Sequence, residues 1–397
     1  MRSLLPDKLR RPEILLLLMA AGVPLSFATW QALLNNFAIE SAAFSGAEIG
    51  VLQSLREVPG FLAFAVVFVL LIMREQTLAL ISLSLLGIGV ALTGFFPTVV
   101  GLYCTTVIMS VGFHYYETIQ SSLALQWIDK ARAPETFGRL IAVGSFTGLV
   151  AYGMVWLAFE FFDLGYRTTY LIAGGLTTAI ALIAWLMFPR YPEKVLQHRK
   201  LILRRRYWLY YGLTFLSGAR RQIFMVFAGF LLVERFGFGV DEIALLFLAN
   251  GIISVFLAPK IGRLIHRWGE RRALVFEYVG LCVVFTAYAF VSSAEVAAVL
   301  YVVDHMFFAL AIAIKTYFQK IADPADIAAT AAVGFTINHI AAVIIPVSFG
   351  LLWLVSPAAV FLAGAAMSCA SAALAMLVPL KPAPGSETVL VPAPEPV

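Results

Sequence analysis

Leu213-Thr-Phe-Leu-Ser-Gly-Ala-Arg220-Arg221-Gln222-Ile-Phe-Met-Val-Phe-Ala-Gly-Phe-Leu-Leu-Val233 is long and apolar enough to cross a bilayer, yet two adjacent arginines sit near its middle. Hydrocarbon has no partner for a guanidinium, and one such charge at a helix centre costs about 2.5–3.5 kcal/mol even on the mild insertion scale. The pair must therefore face something polar. Its residues predict a cavity inside a helix bundle, where the two cations attract an anion.

The whole chain has the composition this segment implies. Its 397 residues are 61% hydrophobic and only 13% charged, whereas soluble domains average roughly a quarter charged residues. The mean hydropathy is +0.90. Such a chain is a polytopic membrane protein. The formal charge of +5 implies no nucleic-acid partner, because excess Lys and Arg in this class reflects cytoplasmic loops. Cys104, Cys282 and Cys369 all lie in apolar runs without metal-ligand spacing and read as small packing residues. Met1–Pro12 is basic, but the apolar run after it outlasts a signal peptide and reads as the first spanning helix.

Apolar runs of spanning length recur about twelve times, near 14–37, 46–73, 76–96, 99–127, 137–162, 165–189, 207–233, 241–262, 271–292, 295–320, 327–354 and 357–380. Each is predicted helical, since a lone strand would leave its backbone unpaired in lipid. With the N-terminus inside, the inner segments collect Arg2, Lys8, Arg10, Arg11, Arg74, Lys130, Arg132, Arg190, Lys194, Arg199, Lys200, Arg204 to Arg206, Lys260, Arg263, Arg267, Arg271, Arg272, Lys320 and Lys381. The outer loops hold Arg167 and Arg235. That asymmetry puts both termini in the cytoplasm.

The chain also repeats. Phe44-Ser-Gly-Ala-Glu48-Ile49 lies over Phe238-Gly-Val-Asp-Glu242-Ile243, Glu117-Thr118 over Lys315-Thr316, and Ala142-Val143-Gly144 over Ala332-Val333-Gly334. With a small gap, Ser26–Gln31 lies over Ser217–Gln222. The matches keep one order and predict two pseudo-symmetric six-helix bundles, an all-α integral membrane fold. Such duplications are typical of secondary transporters. The predicted units are an N-terminal bundle over 1–189, a basic cytoplasmic linker over 190–206, a C-terminal bundle over 207–380 and a Pro- and Ala-rich disordered cytoplasmic tail over 381–397.

Between the eighth and ninth spans the chain reads Gly262-Arg263-Leu264-Ile265-His266-Arg267-Trp268-Gly269-Glu270-Arg271-Arg272. This resembles the loop signature of the major facilitator superfamily, Gly-x-Leu-x-Asp-Arg-x-Gly-Arg-Arg, with His266 in place of the family's Asp. The resemblance implies a gating role for Gly262, Arg263, His266, Arg267, Gly269, Arg271 and Arg272. The first-half copy, Val69-Leu-Leu-Ile-Met-Arg74-Glu75, departs further. The fifth span lacks the antiporter-type Gly-Pro pair, and its Gly144, Gly148 and Gly153 suit close helix packing. The resemblance further implies that the first, fourth, seventh and tenth helices line a central cavity, with the third, sixth, ninth and twelfth facing lipid. The charges within spans follow suit: Arg56, Glu57, Glu117, Arg220, Arg221, Asp304 and Lys315 fall on the second, fourth, seventh and tenth, with Glu277 near the inner end of the ninth.

Helical register sorts these groups. Arg221 shares a face with Thr214 and Ser217, while Arg220 points about 100° away, toward a neighbouring helix or an acidic partner. Asp304 and Lys315, eleven residues apart, are expected to share a face, as are His114, Glu117 and Gln120. Arg56-Glu57 reads either as a self-compensating pair or as part of the site. Glu117 and Lys315 read either as a salt bridge or as a protonation site beside a substrate-binding lysine. Candidate substrate-binding residues are Arg221, Arg220, Lys315, Tyr115, Tyr116, Tyr317, Gln31 and Trp30; candidate proton carriers are Glu117, Asp304, Glu57 and His114. The expected function is secondary active transport, by alternating access, of a small organic anion or zwitterion, coupled to protons, in a bacterial inner membrane. The expected partners are that solute, protons and membrane lipid, with no cofactor, metal or obligatory oligomer. A cation or drug exporter of the same superfamily is the alternative. A sensor or an integral membrane enzyme is a third, but the chain carries no nucleophile elbow, phosphate loop or His/Cys metal spacing.

Overall fold

The computed structural model describes residue 6 and residues 10–127, 133–191, 203–323 and 327–390. Arg2, Lys8, Lys130, Arg132, Lys194, Arg199 and Lys200 lie outside them, with most of the expected linker and the last part of the tail, 391–397. The described chain forms α1 (Pro12–Ala42), α2 (Gly46–Phe61), α3 (Glu75–Thr93), α4 (Val99–Trp127), α5 (Ala133–Glu160) and α6 (Tyr166–Met187). Next come α7 (Trp208–Gln222, a π-helical segment Ile223–Ala228, then Gly229–Phe236), α8 (Val240–Trp268) and α9 (Glu270–Phe290). The last are α10 (Ala294–Phe308, a 3-10 turn Ala309–Ala311, then Ile312–Ile321), α11 (Ile327–Val355) and α12 (Pro357–Ala375). Eleven of these runs are long and apolar enough to cross a membrane.

The exception is α2. An uninterrupted helix is expected over 46–73, but α2 ends at Phe61 and gives way to a 3-10 turn, Ala63–Ala65, and a short helix, Val66–Val69. Pro59 explains the break: it has no N–H for the carbonyl of Leu55 and its ring crowds that oxygen, and Gly60 follows it.

The contacts divide the chain into two compact units. One comprises Met1–Phe44, Leu55–Gln197 and Phe238–Leu248; the other comprises Ser45–Ser54, His198–Gly237 and Ala249–Val397. Each unit takes a short helical start from the opposite sequence half; Phe238–Leu248 carries the whole repeated Phe-x-x-x-Glu-Ile motif, and Ser45–Ser54 carries all of its copy but Phe44. The two copies share local geometry as well. Ala43 (φ 53°) and Gly237 (φ 69°) end their helices in the left-handed region. Three residues into the next helix, Glu48 accepts from the backbone N–H of Ser45 and Glu242 from that of Gly239, each at 2.9 Å. A side-chain acceptor is what the unpaired N–H groups of a helix start require. The motif is thus a repeated helix-start device.

Close helix packing falls elsewhere than on Gly144, Gly148 and Gly153. A Cβ at Gly144 or Gly148 would meet α1 only at 3.8 Å, and one at Gly153 would meet nothing within 4 Å. One tight crossing is α3 on α6, where a Cβ on Gly174 would lie 2.3 Å from the Gly87 carbonyl and 2.4 Å from the Ala91 nitrogen. Gly174→Ala is expected to force these backbones apart and cost about 1–3 kcal/mol. Gly175→Ala, one residue on with open space around it, should leave the thermal midpoint unchanged. The α6 face that carries Leu182, Ile183 and Leu186 is exposed and apolar, as is the α9 face that carries Val279 and Val283. Both suit lipid. α3, by contrast, is largely buried between α4 and α6.

In the second unit, α7, α9 and α10 close over a cluster of Tyr207, Tyr210, Leu274, Tyr278, Tyr317 and Phe318. Part of the tail packs here. Glu387 and Thr388 are buried, the Tyr317 hydroxyl donates to the Glu387 carbonyl, and the Val389 N–H donates to Leu377. The expected disorder is therefore corrected for 381–390, because this segment supplies an acceptor to a tyrosine hydroxyl that would otherwise be buried without one.

Candidate functional site

The two central arginines separate as their register requires. Arg220 is fully buried. Its Nε donates to the Leu216 carbonyl at 3.2 Å, its Nη2 lies 4.0 Å from Glu277 Oε1, and its guanidinium stands 4.1 Å from the centre of the Tyr278 ring. Of the two expectations for Arg220, a neighbouring helix or an acidic partner, Glu277 on α9 meets both. Glu277 lies deep within the second unit, and Asp304, also fully buried, sits within electrostatic reach of the same guanidinium.

Arg221 is exposed, with Thr214 and Ser217 partly exposed one and two turns before it. Its charge acts on His305. The His305 Nε2 lies 2.8 Å from Ser254 Oγ, which itself donates to the Asn250 carbonyl at 2.8 Å. A hydroxyl has one proton to give, so His305 Nε2 is the donor and its Nδ1 remains for other chemistry. His305 and Ser254 had no place in the sequence-based site. Their signal was a serine and a histidine on separate apolar helices, which no spacing rule connects.

Three expectations about α10 and α4 are corrected. Asp304 and Lys315 do not share a face: Asp304 is buried and Lys315 exposed. The 3-10 turn at Ala309–Ala311 advances each residue by about 120° rather than 100° and turns the later segment by about 60°. Tyr317 is not a cavity wall, because it is enclosed in the cluster beneath the tail. His114 does not join Glu117 and Gln120, because steps of three drift by about 60° each; it is buried with its ring edge-on to Phe113.

The first unit has a cavity of about 280 Å³ lined by Tyr116, Glu117 and Gln120 of α4, Gly144 of α5, and Ala20 and Pro24 of the α1 wall. Glu117 is exposed, Gln120 and Tyr115 half-buried, and Tyr116 buried. Pro24 has no N–H to offer the carbonyl of Ala20 one turn earlier, so this wall presents a backbone acceptor beside the Glu117 carboxylate. Deeper in the unit, Arg56 Nη2 meets Glu57 Oε1 at 2.5 Å, and the guanidinium stands 6.0 Å from the Phe27 ring and 5.9 Å from that of Trp30. Of the two readings, this geometry matches the self-compensating pair. Trp30 is buried as part of that box, and Gln31 is half-buried beside it in sequence.

The Gly262–Arg272 stretch is hardly a loop. Gly262 to Trp268 are the last turns of α8, and Gly269 alone makes the connection, with φ at 79°. That left-handed backbone favours glycine. Gly262, Arg263, His266, Arg267 and Arg272 are exposed and Arg271 half-buried. Lys320 at the end of α10 reaches Glu270 at 2.7 Å.

Solved structures share this architecture at low identity. A mutant form of the nucleoside transporter NupG superposes with a TM-score of 0.77 at 16% identity, over 92% of this chain and 99% of that one. A bacterial homologue of the human lysosomal transporter Spinster gives 0.72 at 14% identity, over 92% and 95%. A POT family transporter in complex with 5-aminolevulinic acid gives 0.70 at 13% identity, over 92% and 94%. No curated protein sequence matches the chain. The family model of the Major Facilitator Superfamily matches residues 14–346 and 210–391. The chain is a multi-pass membrane protein that belongs to the major facilitator superfamily of transporters.

Proposed function

We propose that the protein moves a small anionic or zwitterionic organic solute across a bacterial inner membrane by alternating access, coupled to protons, with both termini cytoplasmic. The observation that carries the anionic part is the split of the arginine pair. Arg220 is buried against Glu277, whereas Arg221 is exposed near mid-span on the face that carries Thr214 and Ser217, where a solute can reach it. A guanidinium grips a carboxylate or phosphate with two parallel hydrogen bonds. Lys315, also exposed, adds a second positive charge in the same unit.

The acceptors around the Glu117 cavity favour a zwitterion within that class, since Glu117 and the Ala20 carbonyl suit an ammonium group. The same wall supports the second reading, a cation exporter, in which Glu117 is the principal ligand and Arg221 is dispensable. Glu117 is also the proposed proton carrier of the first unit. Glu117→Gln is expected to retain solute exchange while net transport loses its response to a pH gradient, measured in proteoliposomes. A mutant with the wild-type pH response would remove Glu117 from that role. No cofactor enters the cycle.

A further inference from the structure

Arg220, Glu277 and Asp304 have no exposed surface; Arg220 lies 4.0 Å from Glu277, and Asp304 is within electrostatic reach of its guanidinium. They come from α7, α9 and α10. The other titratable groups around them are Tyr278 and Tyr288 on α9, Tyr301 of α10 near Tyr288, and His305, which follows Asp304 on α10 and is acted on by Arg221. α11, packed on α7, carries the buried His339, and α12 carries no acidic or basic side chain.

Two carboxylates therefore share one guanidinium. With both ionised the cluster would hold a net negative charge in an apolar interior, which burial strongly disfavours. One proton makes it neutral. The geometry is also open rather than locked. A tight pair closes to about 2.7–2.9 Å, but Arg220 stands 4.0 Å from Glu277, and among the described residues its Nη1 and Nη2 have no hydrogen-bond partner. Neither oxygen of Glu277 or Asp304 is hydrogen-bonded either. The guanidinium is held instead by its Nε on Leu216 and by the Tyr278 ring. Its two terminal nitrogens are available to either acid.

We infer that Arg220, Glu277 and Asp304 form a proton-binding centre that keeps one exchangeable proton between the two carboxylates. In the loaded state Arg220 balances ionised Glu277 and the proton sits on Asp304, since the ion pair among the described residues is with Glu277. Release transfers that proton to water and leaves one uncompensated negative charge, so release is confined to a hydrated state of the cluster. Arg221, the next residue along α7, carries the proposed solute contact. A turn of Arg220 toward one acid or the other is therefore transmitted through a single peptide unit. This role rests on the proposal that transport is proton-coupled, and it places a second proton carrier beside Glu117.

Infrared difference spectroscopy of the full-length protein in lipid tests the centre without any solute. The expected result is a protonated-carboxyl stretch that shifts in deuterated buffer, titrates with pH, and loses one carboxyl equivalent in Asp304→Asn. If that variant does not fold, the deuterium shift of the wild-type band and its displacement in Glu277→Gln are read instead. A wild-type spectrum with no such band, a band that never exchanges, or a band unchanged in both variants would overturn the centre. None of these outcomes bears on Arg221 as a solute ligand, and a transport-competent Arg221 variant would leave the band in place.

Discussion

Arg220→Met is expected to lower stability by about 3–5 kcal/mol, the range found when one partner of a buried ion pair is removed. The substitution keeps much of the side-chain volume but leaves Glu277 fully buried opposite Asp304 with no cation between them. It also removes the stacking on Tyr278 and the hydrogen bond to Leu216. Replacing both members of a buried pair by apolar groups is often close to neutral. Arg220→Met combined with Glu277→Leu should accordingly recover most of the loss. The thermal midpoint of purified protein in detergent reads both effects. A double variant no more stable than Arg220→Met alone would show that Arg220 acts through contacts other than its charge.

Arg221→Ala has the opposite profile. Its side chain is exposed, so stability should change by less than about 0.5 kcal/mol, as for other surface substitutions. Solute affinity should fall by about 10- to 100-fold, which corresponds to a lost hydrogen bond to a charged group of about 1.5–3 kcal/mol. Lys at this position should restore only part of it, because an ammonium keeps the charge without the two-pronged geometry. On the proposed function, two adjacent arginines on one turn divide into a folding residue and a binding residue. Measuring both variants for both properties makes that division visible.

Much of this was legible from residue order. Apolar runs and basic loops define the spans, and one of the four matches between halves recurs as shared geometry, at Ser45–Glu48 and Gly239–Glu242. The 100° step between Arg220 and Arg221 was enough to predict that one would find an acid and the other an open face. Some of the misses depend on a local departure from a regular helix. The 3-10 turn in α10 separates Asp304 from Lys315. Pro59 ends α2, and Pro24 frees a carbonyl at the Glu117 cavity. Tertiary partners were equally hidden, since nothing in the order of residues ties Glu277 to Arg220, Ser254 to His305, or the tail to Tyr317.

The most direct measurement is a thermal-shift screen of the wild type and Arg221→Ala against carboxylates, phosphorylated metabolites, amino acids and organic cations. A ligand that binds the folded state raises its midpoint, by an amount equivalent to about 2.7 kcal/mol at a hundredfold excess over the dissociation constant. The predicted result is stabilisation of the wild type by an anion or zwitterion, reduced or lost in Arg221→Ala although that variant unfolds at the same temperature without ligand. Stabilisation by cations alone, or by an anion equally in both proteins, would contradict the assignment of Arg221 to the solute.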